Sequence, residues 1–437
     1  MARAVGSERF AMLRAVASTF DSDGYLRRRA RAADPFTVPI PRLGDVLFTG
    51  SADGVRDILT APATELSAPT PNPIEPLVGS GSLILLSGDR HRRERQLLMP
   101  SFHGERMRNY AGVMAKAARD EMNGWKPGDR ISMREAAQEI TLQIIIRTVF
   151  GVDDADRRAE YTRVITGMMS AYIAPLMFMP ELRRSVGGLG PWARFVRLRT
   201  EFDDLLTEQI AQRRATGVDG YDDVLSLLLS ATYEDGTSLS DDDLRQELRT
   251  LLVAGHETTA TSLAWALYHI HREPQVRERL LVELGEVTEL EQLSKLPYLS
   301  AVLQETLRMH PTVSVVLRRL NAPLTIRGVE RKPGDVVGIA VPALHFNEDR
   351  WPDPDRFDPE RFLERKATPF DYTPFGGGHR RCVGASFANY ELAIVVATIM
   401  GGADLVMPDD ERRKRTPRSV PRGIAALPDR EIVLQVR

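Results

Sequence analysis

Cysteine is nearly absent from this sequence of 437 residues, which contains only Cys382. A single cysteine excludes a fold stapled by disulfides and a metal site built from paired CxxC motifs. It is compatible with a reducing compartment. The net charge is also small, −2 at pH 7, which argues against the basic surface of a nucleic-acid-binding protein.

Long apolar runs are scarce as well. Charged residues interrupt the first 31 positions repeatedly, so neither a signal-peptide core nor a span of about 20 apolar residues fits there. The longest apolar stretch, Leu392 to Ala403, is too short to span a bilayer and predicts a core helix. We therefore expect a cytoplasmic protein without a membrane anchor, with 43% hydrophobic residues available for a large core.

Helical periodicity dominates the region from about residue 104 to residue 310. The longest segment, Asp241 to Arg272, would be about 48 Å long, with Ser240 as N-cap and Pro274 just after its end. Further examples of predicted helices are Met107 to Met122, Met133 to Phe150, Trp192 to Arg214, Tyr221 to Leu229, Gln275 to Val287 and Leu299 to His310.

Short strand-like runs lie toward the two ends of the chain. They are Asp45 to Phe48, Val313 to Leu320, Leu324 to Ile326, Val336 to Ala340 and Ile432 to Val436. The pattern predicts a mainly α fold with small β-sheets. We expect an N-terminal extension at residues 1–34, helical or partly flexible, and a single α-rich domain at residues 35–437 with the longest helix at its centre.

The cysteine lies in a glycine-rich segment, Phe375 to Gly384, with the sequence FGGGHRRCVG. Glycines allow the backbone to bend tightly, and the adjacent arginines favour a thiolate over a thiol. A thiolate on such a loop suits haem iron. A buried structural cysteine and a cysteine hydrolase are alternatives, although no Asn or Asp near Cys382 completes a hydrolase site. No GK[ST] follows the glycines, so a phosphate-binding loop is not indicated.

The pattern Phe375-x-x-Gly378-x-Arg380-x-Cys382-x-Gly384 resembles the haem-binding signature of the cytochrome P-450 family. The resemblance spans roughly residues 35–437. It implies the cytochrome P-450 fold, with haem b (iron protoporphyrin IX) between the long helix and the cysteine loop. Cys382 would be the axial ligand of the iron, Arg380 would bind a propionate, and Phe375, Gly376 and Gly384 would belong to the cofactor loop.

A second motif, Ala254-Gly255-His256-Glu257-Thr258-Thr259, lies in the middle of the long helix. Gly255 costs about 1 kcal/mol there relative to alanine, which predicts a kink or a groove. An acid beside a hydroxyl can relay protons, although a solvent-facing acid next to a helix-kinking threonine is the simpler alternative. The motif resembles the oxygen-activating motif of the family. The resemblance implies that Thr258 hydrogen-bonds dioxygen, that Glu257 carries protons inward and that Ala254 lines the cofactor site.

The same resemblance assigns roles to two further groups of residues. Glu305 and Arg308 share a helical face, and the family's ExxR motif with its partner Arg361 implies one buried, structural ion cluster. His91 and Arg95 also share a helical face and together can bind a carboxylate, although a basic solvated surface is the simpler interpretation of the pair alone. In the family such a pair binds the haem propionates, together with an arginine on a later strand. That arginine is Arg318, with its neighbour Arg319 as the alternative.

The resemblance implies a monooxygenase that inserts one oxygen atom of O₂ into a lipophilic small molecule, by hydroxylation or epoxidation. Candidate pocket walls are residues 73–86, 168–179, 253–254 and 313–316. The chain contains no nucleotide, flavin or iron–sulfur fingerprint. Electrons must therefore come from outside, and we expect a ferredoxin with its NAD(P)H-dependent reductase, and a monomeric enzyme. The ferredoxin would dock on cations among Arg92, Arg93, Arg106, His379 and Arg381.

Three other functions remain open from the sequence. A peroxygenase would take oxygen from hydrogen peroxide and would not need the Glu257–Thr258 pair. A non-catalytic haem protein that senses small molecules would also keep Cys382 without that pair. A cysteine hydrolase would be colourless and sensitive to thiol alkylation.

Overall fold

The structure is a computed structural model that describes residues 21–102, 106–185, 187–287 and 289–437. Helices make up most of these ranges. In chain order they are α1 Ser22–Ala32, α2 Ala52–Leu59, α3 Glu75–Val78, α4 Gly88–Leu98, α5 Arg106–Met122, α6 Met133–Thr148, α7 Ala155–Ala171, α8 Ala174–Phe178, α9 Pro191–Thr216, α10 Val224–Ser230, α11 Asp241–Arg272, α12 Pro274–Gly285, α13 Leu290–Leu293, α14 Pro297–Met309, α15 Val341–His345, α16 Glu360–Glu364, α17 Ala385–Gly402 and α18 Asp409–Arg413.

The strands form four small sheets. They are β1 Phe36–Ile40, β2 Gly44–Thr49, β3 Leu66–Ser67, β4 Arg130–Ser132, β5 Val315–Leu320, β6 Leu324–Ile326, β7 Val329–Arg331, β8 Val336–Ala340, β9 Leu405–Val406, β10 Ser419–Arg422, β11 Ala425–Pro428 and β12 Val433–Val436. The largest sheet has the order β1-β2-β8-β5-β3. Strands β2 and β8 pair in parallel, and its other pairs are antiparallel.

The long helix α11 passes through the main hydrophobic core. Leu252, Leu263 and Trp265 on this helix are each at most 1% exposed. It packs against α6, α14 and α17. The Ser240 side chain accepts a hydrogen bond from the Asp243 backbone N–H, and three acidic residues occupy the first turn, where they favour the positive end of the helix dipole. The helix is therefore fixed at its start by local chemistry and along its length by apolar packing.

The predicted fold class is confirmed: the chain is mainly helical with small sheets around a central helix. The bounds of that helix are those predicted, and the local weakness expected at Gly255 does not interrupt it. The predicted strand runs are also found, with small shifts at their ends. The elements that were not predicted include the helix α7, the strand β1 and the antiparallel hairpin of β10 and β11.

The boundary at residue 34 stays a prediction. Residues 1–20 lie outside the described residues, and α1 follows them. This helix is attached to the rest of the molecule, because the Ser314 hydroxyl donates a hydrogen bond to Asp23 at 2.7 Å.

One described helix is long and apolar enough to cross a membrane, namely α17, which contains all but the last residue of the apolar stretch noted in the sequence. Two thirds of it are buried inside the molecule, and it packs against α5 and α11. In this structure α17 is a core helix.

Candidate cofactor and active site

The cysteine loop is held by a short series of backbone hydrogen bonds. The Cys382 N–H donates to the carbonyl oxygen of Phe375 at 2.9 Å, and the Gly376 N–H donates to that of Thr373 at 3.0 Å. Gly378 has φ +65°, and a Cβ at this position would lie 2.8 Å from the carbonyl oxygen of Leu59. Only glycine fits both the left-handed conformation and this close approach, so the loop packs tightly against the end of α2.

A buried ion cluster lies behind this loop. Arg308 donates two hydrogen bonds to Glu305, at 2.7 Å and 2.8 Å, and Arg361 donates one at 3.2 Å. The side chains of Glu305 and Arg308 are 0% exposed. The remaining donors of both arginines bind backbone carbonyls, including that of His345. The predicted triad therefore comes together with its charges and donors paired.

His345 connects that cluster to the cysteine loop. Its Nε2 atom accepts a hydrogen bond from the Thr373 N–H at 2.9 Å. The Nδ1 atom must then carry the proton, and it lies 3.1 Å from the carbonyl oxygen of Arg308. A continuous chain of bonds thus runs from Glu305 to the loop that carries Cys382.

The thiol of Cys382 is accessible but largely surrounded by protein. Its side chain is exposed, yet burial raises the pKa of the thiol, while the Gly384 N–H, Arg381 and Arg95 act in the opposite direction. The neighbouring arginines therefore lower the pKa of the thiol as predicted, but the desolvation caused by burial raises that pKa by more. Because a metal ion binds the thiolate, a positive metal centre would reverse this balance.

Five basic side chains cluster near this loop. They are His91, Arg95, Arg318, His379 and Arg380. Burial and the neighbouring cations lower the pKa of His91 to about 3 and that of His379 to about 4. The pKa values of Arg318 and Arg380 are lowered to about 10 by burial and by a neighbouring arginine.

No carboxylate compensates this cluster among the residues that the structure describes. None of the five side chains forms an ion pair with a described carboxylate, and the Cys382 thiol acts electrostatically on Arg95. Arg380 donates only to the backbone carbonyls of Ile84 and Leu86, both at 2.8 Å. Buried cations are normally paired, so the arrangement fits an anionic ligand.

Arg318 and Arg319, the two candidates on strand β5 for propionate binding, have different surroundings. Arg318 is 7% exposed. Its charge contributes to lowering the pKa of His91 and His379, which also lie near Arg380. Arg319 donates instead to the carbonyl oxygens of Gly334 and Thr70. The structure thus brings Arg318, and not Arg319, into the cation cluster.

The motif Ala254 to Thr259 on α11 combines exposed and buried residues. Ala254 is exposed although its neighbour Val253 is buried. The Thr258 hydroxyl donates to the carbonyl oxygen of Ala254 at 2.6 Å. Burial raises the pKa of Glu257 to about 7, opposed by the charge of Arg134.

The missed hairpin contributes to the same region. Gly423 at its tip has φ +78°, and a Cβ there would lie 3.9 Å from a carboxylate oxygen of Glu257 and 4.0 Å from the terminal methyl of Met177. Pro421 and Gly423 directly before the apolar run Ile424 to Leu427 were the sequence signal for this hairpin. It adds a wall to the predicted pocket, next to the proposed proton carrier.

The cations predicted for docking differ in their surroundings. Arg92 and Arg93 form ion pairs with Asp89 and Asp235. Arg106 and Arg381 are exposed. His379 is half-buried and belongs to the cation cluster described above.

These residues fit a haem group. Cys382 would supply a sulfur ligand on a tightly packed glycine loop. The basic cluster forms no ion pair with an acid in the described ranges, which suits two propionates. Ala254 offers an accessible, small surface on the central helix. The fold and the site define a haem-thiolate protein.

Comparison with known proteins agrees with this class. A model of the cytochrome P-450 family matches residues 45–435. Cytochrome P-450 138 of Mycobacterium tuberculosis is 36% identical over 379 residues, which cover 86% of this chain and 83% of the relative. Cytochrome P-450 137 of the same species is 33% identical over 417 residues, covering 94% and 86%. The chain belongs to the cytochrome P-450 family. It is a haem-thiolate monooxygenase that uses O₂ and external redox partners.

Solved structures show the same fold. CYP102L1 is similar with a TM-score of 0.83 at 23% identity, covering 95% of this chain and 97% of that one. The cyanobacterial CYP120A1, solved with retinoic acid bound, has a TM-score of 0.81 at 24% identity, covering 94% and 93%. At such identities the similarity concerns architecture alone.

Proposed function

We propose that this enzyme inserts one oxygen atom of O₂ into a lipophilic small molecule, by hydroxylation or epoxidation. The cofactor is haem b, and the electrons come from a ferredoxin and its NAD(P)H-dependent reductase. The observation that carries the proposal is the cation cluster beside Cys382, which has no carboxylate partner within the described residues. His91, Arg95, Arg318 and Arg380 hold the propionates, and Cys382 ligates the iron.

Glu257 and Thr258 hold and transfer protons on the side of the haem site that faces α11. Thiolate-ligated haem, when bound, supplies the cleavage of the O–O bond. Glu257, with a pKa raised to about 7 by burial, can both hold and release a proton near neutral pH. Thr258 already donates its hydroxyl proton to the Ala254 carbonyl, so its lone pairs can accept a hydrogen bond. To donate instead, the hydroxyl must rotate out of the helix.

Apolar side chains support the choice of a lipophilic substrate. Met177 approaches Gly423 and Glu257 at the predicted pocket wall, and methionine adapts to irregular ligands. Several exposed large apolar residues cluster in the neighbouring segment, as an entry route for an apolar molecule requires. They are Ile173, Phe178, Met179, Leu182 and Leu189.

Charge supports the choice of an acidic electron donor. Arg106 and Arg381 are exposed, and Arg381 is next to the iron ligand, so a partner bound there would reach the proximal side of the haem. Within the proposal the enzyme is a cytoplasmic monomer, and residues 35–437 form its single domain.

Glu257→Gln provides the test. With NADPH, a ferredoxin, its reductase and a medium-chain fatty acid as probe, we expect wild-type product formation and an approximately 100-fold loss in the variant, in line with the contribution of general acid catalysis. Turnover driven by hydrogen peroxide should fall much less, because that oxidant brings its own protons. Glu278→Gln, an exposed glutamate on α12, is the matched control.

Two outcomes would overturn the proposal. Turnover with peroxide and none with reduced ferredoxin would identify a peroxygenase. Carbon monoxide binding without oxidation of any lipophilic probe would favour a haem protein that senses small molecules.

A further inference from the structure

We propose that His310 is a positioning residue for the substrate pocket. It holds the β10–β11 hairpin against the segment that follows α14, and thereby determines which carbon of the substrate is oxidised. The inference rests on the proposed function, since it takes the region around Gly423 and Glu257 as the wall of a substrate pocket. His310 lies directly after Met309, the last residue of α14.

The His310 ring is fixed on its face and at both of its nitrogen atoms. It is stacked on the Trp265 ring of α11, with centroids 3.5 Å apart and an angle of 3° between the planes. Its Nε2 atom lies 2.9 Å from the Nε2 atom of His269, and its Nδ1 atom lies 3.1 Å from the hydroxyl oxygen of Ser419. All four residues are buried, so these contacts define one orientation of the ring.

The two hydrogen bonds of His310 have opposite directions. Burial holds the pKa of His310 well below its ordinary value, so the imidazole is neutral and carries one ring proton. It therefore donates one of its two bonds and accepts the other. The bond to Ser419 is thus linked through a single ring to the bond with His269, and it connects the hairpin to the end of α11.

The hairpin is attached to this part of the chain through both of its strands. Ser419, the first residue of β10, contacts His310. In β11 the Ala426 N–H donates to the carbonyl oxygen of Thr312 at 2.8 Å. Because the two strands pair with each other along their whole length, the hairpin is held to residues 310–312 as one unit.

Both partners in this attachment continue into the predicted pocket. At the tip of the hairpin, a Cβ on Gly423 would lie 3.9 Å from a carboxylate oxygen of Glu257. After Thr312 the chain enters the pocket segment 313–316, where Val313 is 41% exposed. The attachment at His310 therefore sets the separation of two pocket walls. Since the protein's part in such chemistry is to orient the substrate, that separation selects the carbon that reacts.

The test uses three variants of the haem-containing enzyme. Ser419→Ala removes only the hydroxyl, and His310→Phe keeps a flat ring on Trp265 while removing both ring nitrogens. His271→Phe is the matched control. His271 is also a buried histidine, but its Nδ1 atom lies 2.7 Å from the carbonyl oxygen of Leu267 in its own helix.

Two readouts separate a positioning role from general stability. Hydrogen exchange of the amides of residues 419–428 reports whether the hairpin is held, and it does not depend on turnover. The ratio of positional isomers formed from dodecanoic acid, with NADPH, a ferredoxin and its reductase, reports which carbon is oxidised. That ratio does not depend on the amount of folded enzyme.

For Ser419→Ala and His310→Phe we expect hairpin exchange to be about 10-fold faster, in line with the loss of one hydrogen bond. The isomer ratio should change by about 3-fold or more. The double variant should have the ratio of His310→Phe alone, because the hydroxyl has no further effect once its partner is gone. His271→Phe should lower the Tm and change neither readout.

Unchanged hairpin exchange in Ser419→Ala and His310→Phe would overturn the inference. Faster exchange with an unchanged isomer ratio would also overturn it, because the contact would then be structural only. If His310→Phe does not fold, Ser419→Ala decides in the same way. The proposed function fails separately, if wild type forms no product with reduced ferredoxin, and hydrogen exchange then still decides whether the Ser419–His310 bond holds the hairpin.

Discussion

Two clusters of basic side chains lie near the cysteine loop, and they differ in how their charge is compensated. Arg308 and Arg361 share Glu305 and several backbone carbonyls. The cluster of His91, Arg318 and Arg380 has no acidic partner in the described residues. Burying a charge is costly unless it is paired. The first cluster therefore has the compensated charge of a scaffold element, and we propose that the second binds the haem propionates.

The first way to test this comparison is to remove the acid from the scaffold cluster. Glu305→Gln leaves two buried arginines without their counter-charge, and breaking such a pair costs about 3–5 kcal/mol. We expect a large drop in the urea midpoint of unfolding and loss of haem with it. Glu364→Gln, an exposed acid on α16, should change neither. A midpoint close to that of wild type would show that the scaffold cluster does not depend on its acid.

Glu247 is a buried acid that forms no ion pair with a described basic residue, and it therefore contrasts with Glu305. Glu247 is 1% exposed. One of its oxygens accepts the Leu83 N–H at 2.8 Å, and the other has no partner in the described chain. Burial raises its pKa to about 8, with Glu94 and Asp243 adding to this and Arg90 opposing it. Glu247 is thus kept neutral by a proton where Glu305 is paired with arginines.

The pH dependence follows from that pKa. The stabilising effect of the neutral form is complete below the ordinary glutamate pKa and is lost as the pH rises from about 4.5 to about 8. Glu247→Gln should therefore be close to wild type at pH 5 and exceed it at pH 9 by roughly 4 kcal/mol. Urea unfolding at pH 5, 7 and 9 measures this. A difference that does not change with pH would mean that Glu247 is ionised throughout.

The smallest expected effect comes from removing one cation from the binding cluster. Arg318→Ala should leave the apoprotein as stable as wild type or more so, because it relieves repulsion from Arg380. It should accelerate haem release about 10-fold, equivalent to about 1.4 kcal/mol. Arg319→Ala is the control. Destabilised apoprotein in Arg318→Ala would mean that this arginine belongs to the scaffold.

The sequence predicted the parts of the molecule that depend on local signals. The bounds of α11 follow from its N-cap, its acidic first turn and Pro274, and the cysteine loop follows from its glycines. What escaped prediction depends on packing between distant segments. The cysteine loop is positioned by the contact of Gly378 with Leu59 at the end of α2. The wall at Gly423 exists because its hairpin reaches Met177 and Glu257.

The most direct test is the absorption spectrum of the dithionite-reduced protein with carbon monoxide, for wild type and Cys382→His. The account predicts a strongly red-shifted Soret band in wild type, and its loss with haem retained in the variant, because only the thiolate produces that shift. A wild-type band at the shorter wavelength of histidine-ligated haem, or no haem at all, would contradict it.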